Sequence, residues 1–200
     1  MAMKYYKSAT DDGGAIGDQL ADGGVDDLFP GITSQNRLNG IVIHRKIWYE
    51  SDIDANVMCS LANEGQFDSC FFESAGENDT ISDLTGSETK YGALEIISNT
   101  VNTVKIKNDP AETLARVNDK AHIGTDMVNI DAITDNGDGT SDIDFSPDIA
   151  DADHAGSYLI SCIDKSFTAA DQKPFWIRVT VPALAPMNAT LDTHEFFALY

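Results

Sequence analysis

Val128-Asn129-Ile130-Asp131-Ala132-Ile133 runs through Asp135-Asn136-Gly137-Asp138-Gly139-Thr140 into Ser141-Asp142-Ile143-Asp144-Phe145. The outer pieces alternate apolar and polar residues, the pattern of a strand that buries one face and wets the other. The middle piece offers both Asn-Gly and Asp-Gly, the dipeptides whose left-handed backbone closes a tight hairpin. A helix needs apolar residues to recur at its own longer period, and this stretch does not supply them.

The same grammar extends outward in both directions. Gly92–Ile97 and Val101–Ile106 are strand-sized and joined by Ser98-Asn99-Thr100, and Asn56–Leu61 and Phe67–Phe72 flank a short Asn63-Glu64-Gly65 turn. Each pair is expected to form a hairpin. Ile41–Tyr49 has the β-branched and aromatic content of a core strand, and Tyr158–Ile163, Pro174–Val181 and Glu195–Leu199 complete the set. One stretch reads as helical, Asp109–Arg116, with Asp at the N-cap, Pro at the first helical position and Glu two further on. Short strands separated by turn signals specify an all-β sandwich or barrel. A change of pattern near residue 108 suggests a small β-module over 108–165, inserted into a main β-sandwich formed by 28–107 and 166–200. Residues 1–27 read as an extended arm, because 11–27 are rich in Gly and Asp and hold no Lys or Arg.

The 200 residues contain 33 acidic side chains against 13 Lys plus Arg, a formal charge of −20. A surface this negative repels phosphate backbones and anionic lipid, so neither nucleic acid nor membrane is expected as a partner. No apolar run approaches the roughly 20 residues that span a bilayer, and Met1–Lys7 has no apolar signal segment. Hydrophobic residues make up 42% of the chain, which is enough for a packed core. Copies of such a chain repel one another at low salt. Self-association should strengthen as salt screens the repulsion, unless the interface is built on charge pairs.

The residues that carry chemistry do not assemble into a motif. Cys59, Cys70 and Cys162 are odd in number, widely spaced and set in apolar runs, which reads as buried thiols; whether Cys59 and Cys70 meet, as residues across a hairpin can, is left open by the sequence. The histidines at 44, 122, 154 and 194 lack ligand spacing. Ten aspartates and no cation fall between Ala121 and Asp164, yet Asp135–Asp142 lacks the spacing and the twelfth-position Glu of a calcium loop. Asp142 and Asp144 share a strand face, as a glycosidase pair does, without an assignable sugar groove beside them. Trp48 and Phe175-Trp176 fit a stacking platform or, on alternating strands, core. No catalytic residue, cofactor or metal site is therefore assigned.

Three segments in fixed order resemble a family of tailed-bacteriophage virion proteins. They are Leu28-Phe29-Pro30 with His44-Arg45-Lys46-Ile47-Trp48-Tyr49, then Asp79-Thr80-Ile81-Ser82-Asp83-Leu84-Thr85-Gly86-Ser87-Glu88-Thr89-Lys90-Tyr91-Gly92, then Lys173-Pro174-Phe175-Trp176-Ile177-Arg178-Val179-Thr180-Val181-Pro182-Ala183. Leu114–Leu159 is similar to the small β-module between the last two, with Asn118 where Gly is usual. The resemblance implies a non-enzymatic structural protein in the virion, present in many copies. Its expected partners are copies of itself and other tail, neck or capsid proteins, with tail or neck favoured over capsid decoration. The competing expectation is a host-surface carbohydrate-binding domain using Trp48, Trp176 or calcium on the Asp-rich loops; a carbohydrate-active enzyme using Asp142 and Asp144 comes third.

Overall fold

The computed structural model describes residues 3–20, 31–64, 68–107, 113–150, 152–185 and 193–199. The chain is all-β, in two antiparallel sheets, with one short helix among the described residues. The first sheet joins β1 (Met3–Thr10), β2 (Gly13–Gln19), β3 (Ile41–Ser51), β5 (Asp68–Glu73), β6 (Lys90–Tyr91) and β13 (Gln172–Val181) in the order β2-β1-β3-β13-β5-β6. Its inner face carries Ile47, Tyr49, Phe71, Phe175, Ile177 and Val179. Opposite lie Val57 of β4 (Ala55–Glu64) and Ile163 and Phe167 of β12 (Tyr158–Phe167), with β14 (Thr193–Leu199) along the edge of β4. Tyr49, Phe71 and Phe175 meet with ring centroids 5.0–6.1 Å apart, close enough to add to the burial term.

The second sheet closes on itself. β7 (Ala93–Asn99), β8 (Thr103–Lys107), β11 (Thr140–Ser146), β10 (Asp126–Asp135), β9 (Lys120–Ile123) and the first half of β12 pair in a ring, because β12 bonds both β7 and β9. This is a six-stranded barrel filled by Leu94, Ile96, Val104, Ile106, Ile123, Ile130, Ile143, Phe145 and Leu159 among others. Full closure leaves no edge to protect. The opening stretch behaves as its alternation dictates: Val128, Ile130, Ile143 and Phe145 fill the barrel and the intervening residues face out. Gly137 and Gly139 take φ of 72° and 83° in the connecting turn, which Cβ-bearing residues resist. Asn118 takes φ 73°, so its turn needs a left-handed residue, and Asn is one that tolerates it.

Four expectations change. The module begins at Ala93 rather than 108: the hairpin of β7 and β8 was expected, but its apolar face belongs to the barrel. Residues 3–19 are a hairpin on β3 rather than a free arm, while 21–27 and the Leu28-Phe29-Pro30 segment lie outside the described residues. The hairpin holds because Tyr5 packs edge-on against Tyr49 at 5.0 Å. In addition, Lys4 and Tyr6 donate to the Glu50 carboxylate at 2.6 and 3.1 Å. Among the described residues of that stretch, Gly13 and Gly14 serve the hairpin turn, at φ 113° and 81°. β4 and β5 do not pair, because the chain crosses from one sheet to the other between them, so Cys59 pairs with Ile163 and Ala198 and Cys70 with Arg178. Residues 113–116 are not helical, 109–112 lie outside the described residues, and the one α-helix among the described residues is α1 (Ser34–Asn39), whose N-cap Thr33 accepts from the Asn36 amide.

Candidate functional site

The outer face of the first sheet gathers what the sequence scattered. Antiparallel register places Lys46 of β3 beside Trp176 of β13, Trp176 beside Phe72 of β5, and Phe72 beside Lys90 of β6. The next row along is His44, Arg178 and Cys70. A strap, residues 74–88, crosses the Lys46 end of this face.

Lys46 fastens the strap. Its ammonium is fully buried and donates to the carbonyls of Gly76 (3.0 Å), Glu77 (2.8 Å) and Asp79 (3.2 Å), and to the Asp79 carboxylate. It also lies 5.1 Å from the Trp48 ring centroid, within cation–π range. Asp79 Oδ2 accepts from Trp176 Nε1 and the Ala75 amide, both at 3.1 Å, and Oδ1 accepts from Ser74 Oγ. Burial alone would raise the Asp79 pKa. The hydrogen bonds from Lys46, Ser74 and Trp176 outweigh it and hold the carboxyl below its ordinary range. The Asp79 carbonyl also accepts from the Gly14 amide at 2.8 Å, tying the N-terminal hairpin to the same knot.

The rest of the strap is locked by its own side chains. Thr80 and Asp83 cap each other across the turn Ile81–Asp83. Glu88 Oε1 accepts from the amides of Thr85 (2.6 Å) and Gly86 (3.2 Å) around a Gly86 φ of 81°. Burial opposes ionisation of Glu88, and these amide bonds overcome it, so its pKa lies below the ordinary value.

Beyond the strap the sheet face opens into a recess of about 270 Å³ with His44 and Arg178 on its floor, Phe72 and Lys90 at one side, and Ile81 and Glu88 on the rim. Burial first, then the Arg178 and Lys90 charges, lower the His44 pKa, with Glu88 opposing them. A larger cleft of about 410 Å³ is lined by Lys165, Lys173, Glu73 and Glu77. Its lysines are already used, Lys165 on Glu73 and Lys173 on Asp171 at 3.2 Å.

Comparison with family models, curated proteins and solved structures found no match. Among the described residues, no three His, Cys, Asp or Glu side chains converge to hold a metal ion. In the Asp135–Thr140 turn, Asp135 accepts from the Gly137 amide (2.9 Å) and Asp138 from the Thr140 amide (3.0 Å). Asp142 and Asp144 do share the outer barrel face, where Asp144 accepts from Thr103 Oγ1 at 2.8 Å. Trp48 and Trp176 are 4% and 0% exposed, so neither indole is open to stack on a sugar. Cys70, Cys162 and His122 are buried. The site's chemistry was missed in the sequence because Lys46, Asp79 and Trp176 are each unremarkable locally and meet only through the fold.

Proposed function

We propose that this chain is a non-enzymatic structural subunit of a tailed-phage particle. It is present in many copies and packs against copies of itself and against other virion proteins, at the tail or neck rather than as capsid decoration. One observation carries the reading. Each of the three segments with the family resemblance contributes one member to the Lys46–Asp79–Trp176 knot, although they lie far apart in sequence. That the three resembling segments meet in one knot supports reading them as parts of one structural unit, whose interlocking groups face inward to hold a strap in place. The acidic surface serves the same role, since a negative wall keeps subunits soluble and does not retain passing DNA. Mass spectrometry of purified particles from the source phage tests the proposal. The chain is expected at a stoichiometry of several copies per particle, and its absence from particles would refute the reading.

A further inference from the structure

We infer that Asn136–Gly137, at the tip of the β10–β11 hairpin, is a latent deamidation site that the turn itself holds shut, with Asp135 as the group that guards it. The inference is independent of the packing role proposed above.

Asn-Gly is the dipeptide most open to this reaction, because glycine sets no side chain between its amide nitrogen and the asparagine side chain. Hydroxide takes the proton of the Gly137 nitrogen, which then attacks Cγ of Asn136. The new N–Cγ bond closes a five-membered succinimide as the Cγ–Nδ2 bond breaks, and Nδ2 leaves as ammonia with a proton from water. Water opens the ring at either carbonyl to give aspartate or isoaspartate. The net exchange is one water in and one ammonia out, and it adds a negative charge to a chain already at −20. Isoaspartate also adds a methylene to the backbone that joins the two strands.

Burial does not protect the tip: Asn136 and Gly137 are exposed, and a Cβ built on Gly137 would meet nothing within 4 Å. Hydrogen bonds do. The Gly137 amide donates to Asp135 Oδ1 at 2.9 Å. An amide held by a carboxylate is a poorer acid, because charge developing on its nitrogen faces a like charge. The other reacting group is held too, since Asn136 Nδ2 donates to Thr140 Oγ1 at 3.2 Å and the Asn136 amide to the Thr140 carbonyl at 3.0 Å. The reaction destroys both side-chain bonds, the first when Gly137 loses its proton and the second when Nδ2 leaves. The adjoining Asp138–Gly139 pair can close the same ring with loss of water. There too the carboxylate is engaged, by the Thr140 amide at 3.0 Å and hydroxyl at 2.5 Å.

The test is peptide mapping by mass spectrometry on the full chain, followed over time in mildly alkaline buffer, with the same chain unfolded in guanidinium chloride alongside. Asn136 should lose ammonia more slowly in the folded chain than in the unfolded one. Asp135→Ala should speed the loss in the folded chain about fivefold, the factor equivalent to one net hydrogen bond of about 1 kcal/mol. It should make no difference once the chain is unfolded. Asp135→Asn keeps an oxygen acceptor without the charge, so its rate should fall between the two. The chain carries its own clock in Asn39–Gly40, with Asn39 exposed at the end of α1, and the rate there should ignore both variants. Equal rates at Asn136 in the wild-type chain and Asp135→Ala, or in the folded and unfolded chain, would overturn the inference. So would equal acceleration at Asn39, which would assign the effect to general loosening rather than to a local guard.

Discussion

Replacing Lys46 by Met tests the knot most directly. Methionine keeps the length and apolar stem of lysine while removing the ammonium, so packing changes little and the electrostatics change completely. Four acceptors lose their donor: the carbonyls of Gly76, Glu77 and Asp79 and the Asp79 carboxylate. The carboxylate is the costly one, being 6% exposed, and removing one partner of such a buried pair typically costs about 3–5 kcal/mol. In a protein of this size each kcal/mol moves Tm by about 2–4 °C, so a drop of about 6–20 °C is expected. Urea denaturation at pH 7, followed by circular dichroism, gives the free energy.

A double-mutant cycle isolates the interaction. Asp79→Asn leaves the ammonium buried without a counter-ion and should also destabilise. Combining it with Lys46→Met should cost less than the two single changes together, by about 1.5–3 kcal/mol of coupling. Raising salt should leave that coupling nearly unchanged, because buried pairs are poorly screened. A Lys46→Met cost below about 1 kcal/mol, the scale of an exposed pair, would mean that Lys46 is solvated and that the strap is held by something else.

Other outcomes follow from the same geometry. A Cβ on Gly13 would lie 2.8 Å from both the Asp79 carbonyl oxygen and Trp176 Cη2, whereas one on Gly14 meets nothing within 4 Å, and both have positive φ. Gly14→Ala should therefore cost only backbone strain, about 1–3 kcal/mol, and Gly13→Ala distinctly more; equal melting temperatures would refute the close approach. The His44 and His122 pKa values are lowered from 6.5, chiefly by burial. For each, the unfolded chain binds the proton first, so stability should fall as pH drops below about 6.5 towards the folded value. Imidazole NMR titrations with midpoints at or above 6.5 would contradict this. The depressed Asp79 carboxyl contributes stability that is fully present above its unfolded value of 3.8 and is lost as pH falls through the folded value. Asp79→Asn should thus flatten the acid limb of a stability–pH curve, and an unchanged limb would count against the knot. Asp135 and Asp138 serve the hairpin turn, so millimolar calcium or EDTA should leave Tm unmoved. A calcium-dependent rise abolished by Asp138→Asn would restore the metal reading.

The barrel was largely legible because its signals are local. Alternation over 128–133 and 141–145, with glycines between them, dictates one hairpin whatever surrounds it, and the 92–106 hairpin is equally self-contained. The failures concern the partners of a strand rather than its existence. β4 and β5 are adjacent in sequence and each reads as a strand, yet their pairing is decided by which sheet offers an apolar face, and that depends on β12 and β13 more than a hundred residues later. The N-terminal hairpin was hidden for a related reason. Its Gly-Asp stretch is ambiguous between slack and turn, and the deciding contacts with Tyr49 and Glu50 come from a strand it has not yet met.

The same distinction explains why the outer sheet face could not be read in advance. A buried ion pair is expensive, and replacing both partners together by apolar side chains of similar volume is often neutral or stabilising for a fold. What the ion pair supplies is placement: the Asp79 carboxylate and three carbonyls accept Lys46 only with the strap in one register, which fixes Ile81 and the Thr85–Glu88 turn at the rim of the recess. A greasy contact would tolerate sliding, and a sliding strap would blur the rim of the recess. If that account is right, Lys46→Met combined with Asp79→Leu should recover stability yet lose the defined strap. Hydrogen exchange of the Thr80–Glu88 amides should then accelerate while the barrel amides stay protected. A double variant that is stable and still protects those amides would show that packing alone sets the strap, and that the ion pair has no part in shaping the rim of the recess.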